Sequence, residues 1–188
     1  MSKKKDKLAI FDLDGTLFDT KRVNYEAYRY ALSKFGIDLP FENFWEKLNG
    51  RHYKVFLPIL MGSDEHIEEA HDIKVEKYAE FLSEARPNES LFSMIDCMKD
   101  EFYIALVSTA TYENVHQILD HFGYTDKFEF ILTQRDVEKK KPDPEGFIKA
   151  MEHFAVTPDK TIVFEDSEVG IEAAERAGCV TYIVKGYS

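Results

Sequence analysis

From Leu8 the chain runs Leu-Ala-Ile-Phe-Asp-Leu and then meets Asp14-Gly15, a short apolar stretch ended by a turn signal, which reads as a buried strand of a parallel sheet. Asp12 and Asp14 then stand at the carboxyl end of that strand. From Thr20 the spacing becomes helical: Tyr28, Ala31, Leu32 and Phe35 recur at i, i+3, i+4 and i+7, and Gly36 offers a C-terminal stop. Phe41, Phe44, Trp45 and Leu48 repeat the period before Gly50. A third helix is predicted over Tyr53 to Met61, kinked or interrupted by Pro58, and a fourth after Ser63, which can cap it with Asp64 and Glu65 in the first turn. No strand pattern occurs between Thr20 and Leu82, and Arg86-Pro87-Asn88 breaks the helical run. Residues 18–86 therefore read as a helical insertion, with 1–17 and 87–188 forming the main core.

Beyond the insertion the two periods alternate. Leu91, Met94, Ile95 and Met98 mark a helix, Tyr103 to Val107 a strand, Val115, Ile118, Leu119 and Phe122 a helix, and Phe128 to Leu132 a strand. Phe147, Ala150, Met151 and Phe154 mark the next helix and Thr161 to Phe164 a strand. A close-packed helix through Gly170, Ala173, Ala174 and Ala177 leads to a last strand, Val180 to Val184. This is the βαβ rhythm of an α/β, doubly wound parallel sheet. In such sheets ligands bind beyond the carboxyl ends of the strands, where strand order reverses. Polar residues fall at those ends: Asp12 and Asp14, Ser108 and Thr109, Lys141, and Glu165 and Asp166.

Composition narrows what such a crevice can bind. The net charge of -11 argues against a nucleic-acid partner, because neutralising a phosphate strand needs clustered Lys and Arg. A small anion remains open to it if a metal or local cations reverse the field inside one cleft, so the acidic balance favours a metal. With 188 residues, one core carrying an inserted subdomain fits better than two independent domains. The two cysteines, Cys97 and Cys179, lie in apolar segments outside any CxxC or Cys/His cluster, which predicts core packing and a reducing compartment. There is no signal-peptide h-region and no membrane-spanning apolar run, so a cytoplasmic protein with no membrane partner is expected. The expected state is a monomer.

A phosphate monoester dianion repels a carboxylate nucleophile, so attack by Asp12 needs a divalent cation and fixed donors on the phosphoryl oxygens. Mg2+ prefers hard oxygens, which Asp12, the Asp14 carbonyl and Asp166 could supply, with Glu165 as a further metal candidate. Like-charge repulsion keeps Asp12 ionised while Asp14 can hold a proton, so Asp12 is predicted to be the nucleophile and Asp14 the general acid and base. Ser108 and Thr109 are predicted to hold phosphate. Lys141 is placed both there and at the nucleophile, on a loop stiffened by Pro142 and Pro144.

These residues resemble the signature regions of the haloacid dehalogenase superfamily: DLDGT at Asp12 to Thr16, VST at Val107 to Thr109, KKPDP at Lys140 to Pro144 and EDS at Glu165 to Ser167. All four occur in order, and the resemblance covers nearly the whole chain, most closely the beta-phosphoglucomutase-like and phosphatase-like members with a helical cap. It implies a Rossmann-like core of sheet order 5-4-1-2-3, a helical cap after the first strand, Mg2+ as cofactor, and a small phosphorylated metabolite as substrate. The retained Asp14 disfavours dehalogenation, since dehalogenating relatives lack an acid there. Mutase-like relatives carry a histidine early in the first cap helix, where this chain has Asn24. Hydrolysis of a sugar or polyol phosphate is thus the first expectation. A phosphomutase is the alternative, and a non-catalytic phosphate-binding protein is the third reading. Asn24 and Arg51 are the candidate substrate contacts in the cap, and Trp45 is read as cap core.

Overall fold

The computed structural model of the protein describes residues 5–47, 53–185 and 187, with the side chains of 45–47 left aside. Arg51 and His52 lie outside the described residues, as does the side chain of Trp45. The chain divides into two compact units, one of residues 1–19 and 87–188 and the other of residues 20–86.

The larger unit is built on five parallel strands: β1 (Lys7–Phe11), β2 (Phe102–Val107), β3 (Phe130–Leu132), β4 (Thr161–Glu165) and β5 (Val180–Ile183), in the order β3-β2-β1-β4-β5. This is the expected 5-4-1-2-3 order. The central strand β1 faces β2 on one side and β4 on the other, with Phe11 level with Leu106 and Phe164. The chain proceeds outward from β1 in both directions, so the strand order reverses at its carboxyl end and opens the crevice there. A strand buried on both faces is apolar along its interior, which is why Leu8 to Phe11 of β1 read as a continuous apolar run.

The strands are sandwiched by helices whose apolar stripes explain their placement. Leu8, Ile10, Ala105, Val107 and Val163 pack with Phe147, Ala150 and Met151 of α7 (Glu145–Phe154) and Ala173 and Ala174 of α8 (Glu168–Arg176). Burying Phe147, 1% exposed, contributes roughly 2 to 3 kcal/mol from apolar area alone. The helices α5 (Glu89–Met98), α6 (Tyr112–Phe122) and α8 are each capped by a side chain: Asn88 accepts from Leu91 N–H, Thr111 from Asn114 N–H and Ser167 from Gly170 N–H.

The smaller unit holds α1 (Lys21–Ser33), α2 (Phe41–Lys47), α3 (Tyr53–Met61) and α4 (Ile67–Lys77), followed by a 3-10 segment, Tyr78–Glu84. Tyr25, Tyr28, Leu32, Phe44, Phe56, Leu57 and Ala70 form its core. Lys74 is buried, with its ammonium 5.4 Å from the Tyr28 ring centroid and 4.6 Å from that of Tyr78, an arrangement in which ring faces replace part of its hydration.

Several local expectations are corrected. Pro58 does not interrupt α3, which runs through it from Tyr53 to Met61. Ser63 does not cap α4, which starts three residues later than predicted, after His66 at φ 66°; the Ser63 hydroxyl instead accepts from Glu65 N–H at 3.0 Å within a turn. Cys97 is exposed rather than packed in the core, whereas Cys179 is buried beside Met151.

Candidate active site

The strand β1 ends at Phe11, but the ladder reaches one residue further: Asp12 N–H donates to the Phe164 carbonyl at 3.0 Å. That bond fixes Asp12 level with the end of β4 and buries it to 7% exposure. The chain then turns sharply, with Leu17 and Phe18 N–H both donating to the Leu13 carbonyl at 3.0 Å. Gly15 sits at φ 89°, and a Cβ there would lie 2.2 Å from Asp166 Oδ2, so no side chain fits. Thr16, fully buried, donates its hydroxyl to Asp166 Oδ1 at 2.9 Å.

Lys141 comes from the loop after β3. Its ammonium donates to Asp12 Oδ1 at 2.5 Å, to Glu165 Oε2 at 2.7 Å and to the Val107 carbonyl at 3.1 Å, and these three acceptors match its three protons. The other oxygen of Glu165, Oε1, accepts from Ser167 N–H at 3.1 Å and Ser167 Oγ–H at 2.7 Å. Gly170 on α8 leaves room for this carboxylate, since a Cβ there would stand 2.0 Å from its carboxyl carbon. The lysine loop is tied down from two sides: Glu145 accepts from the N–H groups of Glu138 and Lys139, and Arg176 donates to the Pro142 carbonyl at 2.8 Å. The bond from Lys149 and those two backbone donors hold Glu145 down to about 2.

Asp12, Glu165 and Asp166 bring carboxylate oxygens within 4.8 Å of one another. Two of these acids, Asp12 and Glu165, share the Lys141 ammonium. Burial first, then the charge of Glu165, pushes the Asp12 carboxyl well above its ordinary range against the opposing pull of Lys141. Burial would drive Lys141 down, but the charges of Asp12 and Glu165 outweigh it and hold the ammonium charged. Asp166 is raised to about 6 by burial, with the charges of Glu165 and Asp14 adding and the Thr16 hydrogen bond opposing. Such a set of hard oxygens, short of positive charge, could hold a metal ion.

The remaining predicted residues fall as follows. Asp14 is half-buried beside this cluster, where its charge is felt by Asp166. Ser108 is buried, its hydroxyl accepting from Ala110 N–H at 3.1 Å, while Thr109 is exposed; both line a small cleft with Lys140, Lys141 and Phe147. Asn24, on α1 of the smaller unit, donates its side-chain amide to the Thr20 carbonyl of its own helix at 3.2 Å. Thr16, Ser167 and Gly170 were not singled out from the sequence. Their signal was present, Thr16 and Ser167 being the last residues of DLDGT and EDS, but their service to Asp166 and Glu165 depends on contacts 150 and 2 residues away in the chain.

The sequence pattern of the haloacid dehalogenase-like hydrolases matches residues 9–184. The chain belongs to that family. It is an enzyme of the family, a hydrolase with relatives named phosphatase, as the signature regions led us to expect. It is 30% identical over 177 residues to the phosphorylated carbohydrates phosphatase of Thermotoga maritima, covering 90% of this chain and 80% of that protein. It is 28% identical over 183 residues to the beta-phosphoglucomutase of Bacillus subtilis, covering 92% and 80%. Its fold is shared with CbbY from Rhodobacter sphaeroides, crystallised in complex with phosphate, at a TM-score of 0.85 and 24% identity over 96% of this chain and 87% of that one. Among the described residues, no helix is long and apolar enough to cross a membrane.

Proposed function

We propose that the protein is a magnesium-dependent phosphatase that hydrolyses a small phosphorylated metabolite of the sugar or polyol phosphate type through an aspartyl-phosphate on Asp12. The observation that carries this reading is the Asp12 carboxylate, buried at a strand end, with one oxygen on Lys141 and with two further carboxylates close by. The phosphatase relative adds the substrate class. Asp12, Asp166 and the Asp14 carbonyl would hold Mg2+, which when bound supplies positive charge to the phosphoryl oxygens. Glu165, with one oxygen on Lys141 and the other on Ser167, serves as the anchor of the lysine rather than as a metal ligand.

In the first step an Asp12 oxygen forms a bond to phosphorus as the ester P–O bond breaks, and Asp14 gives its proton to the departing oxygen. Lys141 keeps Asp12 oriented and offsets charge. Ser108 and Thr109 with their neighbouring N–H groups hold the phosphoryl oxygens. In the second step Asp14 takes a proton from water, whose oxygen attacks phosphorus; the Asp12–P bond breaks and inorganic phosphate leaves. A phosphomutase would pass the same phosphoryl group to another hydroxyl, so release of inorganic phosphate separates the two. A phosphate-release screen over small phosphorylated metabolites, with and without Mg2+, tests the reading. Turnover is expected with Mg2+ and is expected to vanish in Asp12→Asn, because an amide is a far poorer nucleophile. Undiminished turnover by that variant would remove the mechanism.

A further inference from the structure

The outer side of the acidic turn is held by a residue that neither the motifs nor the mechanism above use. The Thr16 carbonyl accepts the Asn88 side-chain amide at 3.3 Å and the Tyr187 hydroxyl at 3.5 Å. Asn88 is itself fixed, since its N–H donates to the Leu17 carbonyl at 2.8 Å while its Oδ1 caps α5. Tyr187, beyond β5, is half-buried and takes a backbone hydrogen bond from Asp19, so its single hydroxyl links both sides of the turn that leaves the core. Burial, with the charges of Asp19 and Asp166, pushes the phenol up and keeps it a neutral donor throughout the physiological range.

The consequence passes through Thr16. Its backbone is pinned at the carbonyl and its side chain is fully buried, so its hydroxyl has one direction in which to donate, toward Asp166 Oδ1 at 2.9 Å. That bond occupies one oxygen of Asp166 and sets the direction of the other, Oδ2, which faces the space kept clear at Gly15. We propose that Tyr187 is a positioning residue of the cation site: by bracing the Thr16 carbonyl it keeps the Thr16 hydroxyl on Asp166, and so keeps Asp166 aimed for a divalent cation. The inference rests on the cation site proposed above. Tyr187 touches no reacting atom.

Tyr187→Phe keeps the ring and its packing and removes the hydroxyl. Calorimetric titration of the full chain with Mg2+ is expected to show a dissociation constant raised about threefold to tenfold, the range of one net hydrogen bond. The melting temperature in EDTA is expected to move by no more than about 6 °C, the range for one such bond in a chain of this size. Thr16→Val is expected to weaken Mg2+ binding, and Tyr187→Phe added to it to produce no further loss, because both act through the same contact. A Tyr187→Phe dissociation constant within about twofold of the unaltered protein, or full additivity with Thr16→Val, overturns the proposal. If the unaltered protein binds Mg2+ and releases no phosphate from any substrate, the proposed function falls and Tyr187 keeps its role. If it binds no Mg2+, both fall.

Discussion

Replacing Lys141 by Met retains an unbranched stem near the Phe147 ring and removes the charge that Asp12 and Glu165 share. Both carboxylates are buried, so neither can be rescued by water. Taking away one partner of a buried ion pair costs about 3 to 5 kcal/mol. An independent bound comes from protonation: a stranded carboxylate can take up a proton, and at about pH 7 that lies about three units above its unfolded value, at about 1.4 kcal/mol each, or about 4 kcal/mol. The two estimates agree. The pH dependence has a definite sign. Asp12 in the folded state already lies above its unfolded value, so its contribution to stability is present at low pH and lost as pH rises through the folded value; removing Lys141, which opposes that rise, lifts the folded value further and carries the effect to higher pH. The deficit relative to the unaltered protein should therefore narrow between about pH 7 and pH 5. Urea unfolding of both proteins in EDTA at the two pH values measures it. A deficit below about 1 kcal/mol at neutral pH, or one that does not shrink on acidification, would show that Lys141 does not neutralise these acids.

Other outcomes follow from the same contacts. Gly170→Ala places a methyl group 2.0 Å from the Glu165 carboxyl carbon, so Glu165 must leave Lys141 or α8 must shift; a loss of about 2 kcal/mol or more is expected in urea unfolding, and a change within about 0.5 kcal/mol would mean the helix yields freely. Asp166, raised to about 6, must lose its proton to bind a cation, so the Mg2+ affinity measured by calorimetry should fall with acidification below that value, by up to about tenfold per pH unit from this group. Without the cation the same raised value means that stability declines as pH rises from about 4 to 6, the sign opposite to that of an ion-paired carboxylate, and a cation-free melting curve set across that window checks it.

The order of strands and helices was legible where an element is long enough to show its period. The run from Leu8 sits between two neighbours and under helices, so it must be apolar throughout, and Tyr28, Ala31 and Leu32 must recur at helical spacing to cover one side of α1. Errors came where local chemistry offered more than one outcome. Ser63 could cap a helix or close a turn and did the second; Cys97 lay in an apolar segment but on the exposed side of α5.

Which oxygen meets which donor was beyond local reading. Glu165 and Asp166 are adjacent in sequence and chemically alike, yet the end of β4 directs the first inward to Lys141 and Ser167 and the second toward Thr16. By itself the sequence determined the α/β alternation and the catalytic vocabulary at the strand ends, because periodicity and turn chemistry are properties of neighbouring residues. The tertiary structure alone decided that one lysine would serve two carboxylates, 129 and 24 residues distant, and that Gly170 would have to stay small beside Glu165 and Gly15 beside Asp166. Those outcomes depend on the register of β1 against β4 and on the approach of α8, quantities that no segment carries by itself.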